Sequence, residues 1–310
     1  MKNKTLFLLF GSMVAIGLFI FAKTPEAASS IFKRVADTYK IHGVKFPESI
    51  DFAGESVPLQ DADVKERLDR EFLVNTYWQS NALLLIKRSE KYFPIIDSIL
   101  EAQGIPSDFK YLALAESGLE NVVSPAGATG FWQIMKNTAR EYGLEVNDQI
   151  DERYHLIKST EAASKYLKKW HDEFGSWTLT AAAYNVGPNG LKRRLEEQKV
   201  ERYYDLLLPD ETSRYVFRIL AIKEIVSKPN QYGFELNDNE YYHYPQTRWV
   251  EINESVTDLN ALALELNTNY KWLKKLNPWL RKNSITLTDG ERLYIEVPVA
   301  KSDDATVSDY

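Results

Sequence analysis

Residues 109–118 have the sequence Phe-Lys-Tyr-Leu-Ala-Leu-Ala-Glu-Ser-Gly, and this segment determines how the middle of the chain folds. Its nearly continuous run of apolar side chains predicts a helix that is buried on every side. Glu116 follows this run without a break. If the helix buries Glu116, the charged carboxylate is disfavoured and its pKa rises, so that the group keeps a proton near neutral pH. The alternative is that the helix turns Glu116 into solvent beside Ser117 and Gly118.

Apolar residues at helical spacing extend this prediction on both sides of the segment. They recur from Val64 to Leu100, and Gly104 and Pro106 then separate this helical region from the buried helix. Downstream, the same spacing predicts helices over residues 131–142, 159–174, 178–184 and 211–226. Almost no alternating strand pattern occurs before residue 240, so the sequence predicts a mainly α protein with an all-helical domain over residues 64–228.

A different pattern begins after the helical region. Residues 229–247 combine two prolines and one glycine with few aliphatic side chains, which predicts a linker. Residues 248–299 then contain two segments typical of strands, Trp249–Ile252 and Arg292–Val297, on either side of two short predicted helices. This order predicts a small β-α-α-β domain, followed by a frayed polar tail over residues 300–310.

The N-terminal segment has the features of a membrane-targeting sequence. Lys2 and Lys4 precede an uncharged apolar run over residues 5–22, which as a helix would span about 27 Å, close to the hydrocarbon thickness of a bilayer. This length favours an uncleaved signal anchor in the inner membrane, with the remaining chain exported to the periplasm. A signal peptide removed within residues 1–29, which would leave a soluble periplasmic protein, is the alternative. Residues 30–63 are rich in turn-forming residues and are predicted to be a linker.

The composition excludes several classes of function. The chain carries 38 Lys plus Arg against 44 Asp plus Glu, a net charge of -6, which gives no basis for binding nucleic acid. It has no Cys, which excludes disulfides, thiolate metal sites and a Cys nucleophile. Its four His show no metal-ligand spacing, and no Gly-rich phosphate loop occurs. We therefore expect neither a metal nor an organic cofactor.

Four short motifs follow one another along the predicted helical domain. In chain order they are Glu116-Ser117-Gly118, Gly130-Phe131-Trp132-Gln133, Ala183-Tyr184-Asn185 and Glu211-Thr212-Ser213-Arg214-Tyr215. This order resembles that of the lytic transglycosylase family, whose motifs are Glu-Ser, Gly-hydrophobic-hydrophobic-Gln, Ala-Tyr-Asn and a later Tyr. The resemblance covers roughly residues 55–235. It implies a lysozyme-like, all-helical catalytic domain that acts on peptidoglycan glycan strands.

The resemblance also implies roles for individual residues. Glu116 matches the single catalytic acid/base of the family. Ser124 matches a serine that orients the substrate or the acid, although the loop from Glu116 is one residue shorter here than in the family. The remaining matched positions imply substrate contacts, with Tyr215 also contacting Glu116: Phe131, Trp132, Gln133, Tyr184, Asn185 and Tyr215. For Phe131 and Trp132, a place in the hydrophobic core is the alternative.

The number of carboxyl groups bears on the reaction. A protonated carboxyl group in an apolar wall suits cleavage of a glycosidic bond, because the leaving oxygen needs an acid. Glycosidases normally need a second carboxylate, and none accompanies the motifs. The resemblance implies that the 6-hydroxyl of N-acetylmuramic acid attacks C1 instead, which gives a 1,6-anhydro product with Glu116 as the only acid/base. A lysozyme-like hydrolase and a non-catalytic wall-binding scaffold are the alternatives.

Residues 248–299 resemble a LysM glycan-binding module, with Leu273-Lys274-Lys275-Leu276-Asn277-Pro278 among the matching segments. The first loop, Asn253–Thr257, departs from the usual Gly-Asp-Thr-Leu signature, so glycan binding and a role as a structural spacer both stay open. Elsewhere, 18 Tyr and seven Trp suit stacking on sugars as well as a helical core, and Trp132 and Trp177 are the favoured groove candidates. The sequence indicates no particular protein partner.

Overall fold

A computed structural model describes residues 42–299 of the chain. The predicted membrane segment at residues 5–22, the rest of residues 1–29 and the tail at 300–310 lie outside the described residues. Within the part of the chain that the structure describes, no helix is both long enough and apolar enough to cross a bilayer.

The described chain is mainly helical, which confirms the predicted fold class. Its first part contains a short hairpin and eight helices: β1 (Asp51–Phe52), β2 (Glu55–Ser56), α1 (Ala62–Tyr77), α2 (Gln79–Ala102), α3 (Phe109–Ser117), α4 (Lys136–Glu141), α5 (Leu156–Phe174), α6 (Trp177–Val186), α7 (Pro188–Gln198) and α8 (Asp210–Ser227). Its last part has the predicted β-α-α-β order: β3 (Thr247–Ile252), α9 (Leu259–Glu265), α10 (Tyr270–Leu276) and β4 (Leu293–Pro298). Short 3-10 helices occupy four of the connections: Glu152–Tyr154, Tyr203–Asp205, Pro229–Tyr232 and Asp238–Glu240.

The apolar segment that contains Glu116 forms a central helix of the helical domain. This helix, α3, packs against α2 and α8, and its residues Leu112 and Ala113 are fully buried. The long helix α8 also packs along α1 and against α6. Because α8 contacts all of these helices, side chains from distant parts of the sequence can meet at the carboxyl-terminal end of α3.

The helix boundaries differ from the predictions in two places. The helical region over residues 64–100 consists of two helices, α1 and α2, which are separated at Trp78. The helix predicted over residues 131–142 begins only at Lys136, because the chain before it forms an irregular turn closed by pairing of Thr129 with Ile134. The helix α7 lies outside the predicted helices altogether.

Both predicted linkers pack against the helical domain where the structure describes them. Within residues 30–63, the hairpin residue Phe52 is fully buried in the core. Within residues 229–247, the ring of Tyr232 stacks on that of Phe72 with their centroids 5.6 Å apart. The turn-forming residues of these segments therefore surround apolar anchors, and the helical domain is larger at both ends than the sequence pattern indicates.

The C-terminal domain is docked on the helical domain rather than tethered to it. Strands β3 and β4 pair in antiparallel fashion, and the core that they enclose with α9 and α10 extends to Ile150 of the helical domain. Two backbone hydrogen bonds cross the same junction. The N–H of Asp151 donates to the carbonyl of Trp279 at 2.9 Å, and the N–H of Arg281 donates to that of Gln149 at 2.8 Å. The two domains thus share a continuous packed boundary.

Candidate active site

Glu116 lies in the last turn of α3 and is half-buried. Gly118 ends the helix with a φ angle of 61°, a left-handed conformation that glycine adopts without strain, and turns the chain into the next loop. The hydroxyl of Tyr215, on α8, donates a hydrogen bond to Oε1 of Glu116. The fold therefore brings together two predicted site residues that are 99 positions apart in the sequence.

Burial raises the pKa of the Glu116 carboxyl group, because removal from water disfavours the charged form. The hydrogen bond from Tyr215 and the positive charge of Arg218 act in the opposite direction, and the negative charge of Glu211 adds to the effect of burial. The net pKa shift is upward. Glu116 therefore keeps its proton to higher pH than an exposed glutamic acid does.

Two tyrosines from separate helices flank this carboxyl group. Burial raises the pKa of both Tyr184 and Tyr215, and the nearby negative charge of Glu116 raises each further, so both hydroxyls stay protonated and act as donors. The Tyr184 hydroxyl donates to the backbone carbonyl of Trp132 at 2.6 Å. Asn185 follows Tyr184 near the end of α6 and is exposed. Residues from the predicted motifs thus converge on one carboxyl group.

The loop between α3 and α4 is held by hydrogen bonds from its own motif residues. Ser117 donates through Oγ to the carbonyl of Phe131 at 2.8 Å, which ties the end of α3 to the far side of the loop. Gln133 donates through Nε2 to the carbonyl of Gly130 at 2.8 Å. Any side chain at Gly130 would place its Cβ 2.0 Å from a backbone carbonyl oxygen of the 3-10 helix that follows α4. The Gly-Phe-Trp-Gln motif therefore specifies a tight turn as well as functional side chains.

Three predicted substrate-binding residues face the loop or the core. Ser124 Oγ accepts a hydrogen bond from the N–H of Ala128 at 3.0 Å and so closes its own turn. Phe131 is only 4% exposed, and Trp132 is fully buried with its indole N–H donating to Thr160. Stacking on a sugar requires an exposed ring face. The fully buried Trp132 has none, which favours its alternative place in the core, whereas Phe131 reaches a cavity between the helical and C-terminal domains.

A cavity of about 420 Å³ opens beside Glu116, and most of its lining comes from residues that the motifs did not indicate. Many of these residues lie on α1, α2 and α8 or at the α1–α2 break, and they include Arg70, Glu71, Asn75, Trp78, Arg88 and Arg218. Trp78, at the break between α1 and α2, is 60% exposed and offers the flat apolar face that a sugar ring stacks on. Trp78 could have been recognised from the sequence, because it lies where the helical spacing of apolar residues is interrupted.

Glu71 is a second carboxylate of this cavity, and it differs from Glu116 in its partners. It is 2% exposed, and its Oε1 accepts a hydrogen bond from Nη1 of Arg70. Nε of Arg218 lies 3.9 Å from its other oxygen. Two arginines therefore hold Glu71 as a paired carboxylate, whereas a neutral tyrosine hydroxyl holds Glu116.

A smaller cavity of about 90 Å³ lies next to the motif residues Gln133 and Tyr184, which both line it together with Met135. The half-buried Trp177, the other tryptophan predicted for a groove, lines neither of these two cavities. Its ring stacks on that of His171 with the centroids 3.6 Å apart. Of Trp78 and Trp177, only Trp78 presents an exposed ring to the cavity beside Glu116.

Comparison with known proteins gives the helical and C-terminal domains separate relatives. Residues 95–206 match the family described as Transglycosylase SLT domain, and residues 248–301 match the family described as Soluble lytic transglycosylase C-terminal LysM-like domain. The chain is 32% identical over 155 residues to membrane-bound lytic murein transglycosylase D of Escherichia coli strain K12. That match covers 48% of this chain and 34% of the relative, so this chain matches about a third of the relative's length.

Two solved structures also match part of the chain. The inactive variant of the lytic transglycosylase Slt from Pseudomonas aeruginosa is 23% identical, with a TM-score of 0.37, over 48% of this chain and 26% of that one. The 70 kDa soluble lytic transglycosylase of Escherichia coli is 21% identical, with a TM-score of 0.38, over 49% of this chain and 27% of that one. This chain therefore matches the transglycosylase SLT domain family and a LysM-like domain family over separate segments, and over about half its length it is homologous to membrane-bound lytic murein transglycosylase D.

Proposed function

We propose that the protein is a peptidoglycan lytic transglycosylase that cleaves the β-1,4 bond between N-acetylmuramic acid and N-acetylglucosamine. The observation that carries the proposal is the state of Glu116: a half-buried carboxyl group with a raised pKa, bonded to Tyr215 and open to the cavity of the SLT domain. A carboxyl group whose pKa is raised, beside a substrate-sized cleft, is suited to donate a proton to a glycosidic oxygen.

The reaction needs one carboxyl group in two roles. Glu116 first donates its proton to the glycosidic oxygen, and the bond from that oxygen to C1 of the muramoyl residue breaks. The resulting carboxylate then takes the proton of the muramoyl 6-hydroxyl as this oxygen bonds to C1. The product is a 1,6-anhydro sugar, no water is consumed, and Glu116 ends protonated as it began. The Tyr215 hydroxyl donates to the carboxyl group, which fixes its orientation and stabilises it while it is charged.

The pairing of Glu71 favours this reaction over hydrolysis by a lysozyme-like enzyme. An inverting hydrolase needs a second carboxylate that is free to activate water, and a retaining hydrolase needs one that is free to attack C1. Glu71 lines the same cavity, but its oxygens are engaged by Arg70 and Arg218. Contacts with Arg70 and Arg218 therefore occupy both oxygens, and neither is free in the way that a hydrolase requires.

We further propose that the protein acts in the cell envelope, because its substrate lies there. Residues 5–22 would anchor it in the inner membrane with the catalytic domain in the periplasm, and a cleaved signal peptide within residues 1–29 is the alternative. The proposed functional modules are the catalytic domain over residues 64–228, to which the buried hairpin adds, and the LysM-like domain over residues 248–299.

Mass spectrometry of the muropeptides released from purified peptidoglycan by the full chain tests the proposal. We expect products about 18 Da lighter than hydrolysed ones, and their loss in Glu116→Gln. Glu101→Gln, which changes an exposed carboxylate at the end of α2, is the matched control and should keep the wild-type products. Hydrolysed products would establish the lysozyme-like alternative. No product from the folded wild-type chain would establish the non-catalytic scaffold.

A further inference from the structure

A cavity of about 470 Å³ lies where the helical and C-terminal domains meet, and we call it the junction cavity. Both domains contribute to its wall, which includes Lys91, Asn121, Tyr244, Trp249, Trp272 and Lys275. None of its lining residues lines the cavity beside Glu116 or the smaller one next to Tyr184. The junction cavity is therefore a separate site, with a volume in the range of small-molecule pockets.

Two tryptophans give this cavity apolar faces that are open to solvent. Trp249, on β3, is 46% exposed, and Trp272, on α10, is 40% exposed. The ring of His155 stacks parallel to that of Trp249 with the centroids 6.2 Å apart. Burial lowers the pKa of His155 to about 4, so this ring is neutral at neutral pH and adds no charge. Flat neutral rings of this kind suit the apolar face of a sugar.

The charged groups of the junction cavity are not balanced. Neither Lys91 nor Lys275 forms an ion pair within residues 42–299. The cavity also holds the carboxylate of Glu296, but this group is buried and accepts hydrogen bonds from the hydroxyls of Tyr244 and Thr247. Lys91 lies over the ring of Tyr92 at 4.8 Å, and Lys275 lies over that of Trp272 at 5.7 Å. These ring contacts leave both ammonium groups without a carboxylate partner, so an anionic ligand can supply one.

We propose that the junction cavity binds a murein fragment, with an N-acetylated sugar ring on Trp249 and Trp272 and a carboxylate of the attached stem peptide at Lys91 and Lys275. The identity of the ligand rests on the proposed peptidoglycan activity, whereas the position of the site rests on the geometry of the cavity. The protein would then hold a murein fragment at a place separate from the one where it cleaves the strand.

Isothermal titration calorimetry on the full chain tests this site, with Glu116→Gln as background so that no turnover occurs. The two probes are muramyl dipeptide, which carries a sugar and a peptide carboxylate, and N,N′-diacetylchitobiose, which carries no charge. We expect saturable binding of muramyl dipeptide. Adding Trp272→Ala should weaken it about tenfold through loss of a stacking face. Adding Lys275→Gln should weaken the binding of muramyl dipeptide about threefold and leave the affinity for chitobiose unchanged.

Tyr294→Ala is the matched control, because Tyr294 is an exposed aromatic residue of the same domain that does not line the junction cavity. It should leave the affinity unchanged. Absence of saturable binding, or an affinity that Trp272→Ala does not alter, would overturn the site. Failure of the catalytic proposal is a different result, because it appears as the absence of anhydro products from the wild-type chain.

Discussion

The helical domain brings tyrosines from two of its motifs, Tyr184 and Tyr215, near the carboxyl group of Glu116. The C-terminal domain, in contrast, keeps its fold but not the first-loop signature of the modules that it resembles. The loop groove of the C-terminal domain, a cavity of about 410 Å³, is lined by Glu251, Glu254, Asp258 and Glu265 and by no Lys or Arg that the structure describes. Glu251 is paired with Arg292 at 2.8 Å, but Glu254, Asp258 and Glu265 form no ion pair within residues 42–299 and would repel the anionic stem peptides of peptidoglycan. A fold and a binding site are thus retained independently, and each must be tested by itself.

Removal of one carboxyl group from each domain should give the largest contrast. Glu116→Gln should lower the rate of anhydro-product release about 10²–10⁴-fold, because the general acid is lost. Glu254→Gln, in the groove of the C-terminal domain, should leave the rate at the wild-type value. Initial rates on purified peptidoglycan measure both, and circular dichroism checks that each variant is folded. Equal losses of activity would mean that the two grooves form one functional site.

The sequence predicts the scaffold of the catalytic site better than the site itself. Helix α3 is recognisable because its apolar run reflects burial on every side, and Glu116 stands out as the residue that ends it. The loop that follows α3 shows no regular spacing of apolar residues. Its shape depends on local geometry instead, such as the positive φ angle of Gln133 and the close approach of a backbone carbonyl to Gly130. Its shape could not be read from apolar spacing, which predicts a helix there.

Residues that act through long-range pairing were also beyond the sequence pattern. Glu71 and Arg218 occupy ordinary positions on two amphipathic helices, and only the packing of α1 against α8 brings them together. The apolar anchors within the two predicted linkers were beyond the sequence pattern for a similar reason. The burial of Phe52 and the stacking of Tyr232 depend on tertiary contacts that turn-rich composition does not reveal.

Tyr215→Phe tests how the proposed catalytic carboxyl group of Glu116 is held, and it should have the next largest effect. The hydroxyl stabilises the carboxylate form of Glu116, so its loss should raise the pKa of Glu116 further. The first step needs protonated Glu116, and activity therefore falls as pH rises through this pKa. We expect the alkaline limb of the pH–rate profile to move to higher pH, with a maximal rate about tenfold lower from lost orientation.

The outcome that would contradict this role is an unchanged pH profile with a lower rate at every pH, which would indicate a purely structural tyrosine. Tyr203→Phe is the control, because Tyr203 is buried against the same helix α8 and donates to backbone carbonyls away from Glu116. It should leave the alkaline limb in place.

Glu71→Gln should move the alkaline limb of the pH–rate profile to lower pH, by a smaller amount than Tyr215→Phe moves it to higher pH. With the negative charge of Glu71 removed, the positive charge of Arg218 acts on Glu116 with less compensation, which stabilises the carboxylate and lowers the pKa of Glu116. The rate should therefore begin to fall at lower pH than in the wild type. Glu66→Gln, an exposed change on the same helix, is the control. Loss of activity at all pH values in folded Glu71→Gln would instead make Glu71 the second carboxylate of a hydrolase.

The smallest expected effect concerns the boundary between the two domains. Gln149 donates through Nε2 to the carbonyl of Thr286 and accepts through Oε1 from its N–H, both at 3.0 Å. Gln149→Ala removes both bonds and should lower the free energy of unfolding by about 1 kcal/mol, since the site is partly open to water. Urea denaturation should show one transition, because the core of the C-terminal domain extends into the helical domain. Gln103→Ala, outside the boundary, should leave stability unchanged. Two separate transitions in the wild type would mean that the domains unfold independently, and the wall of the junction cavity would then not be a fixed surface.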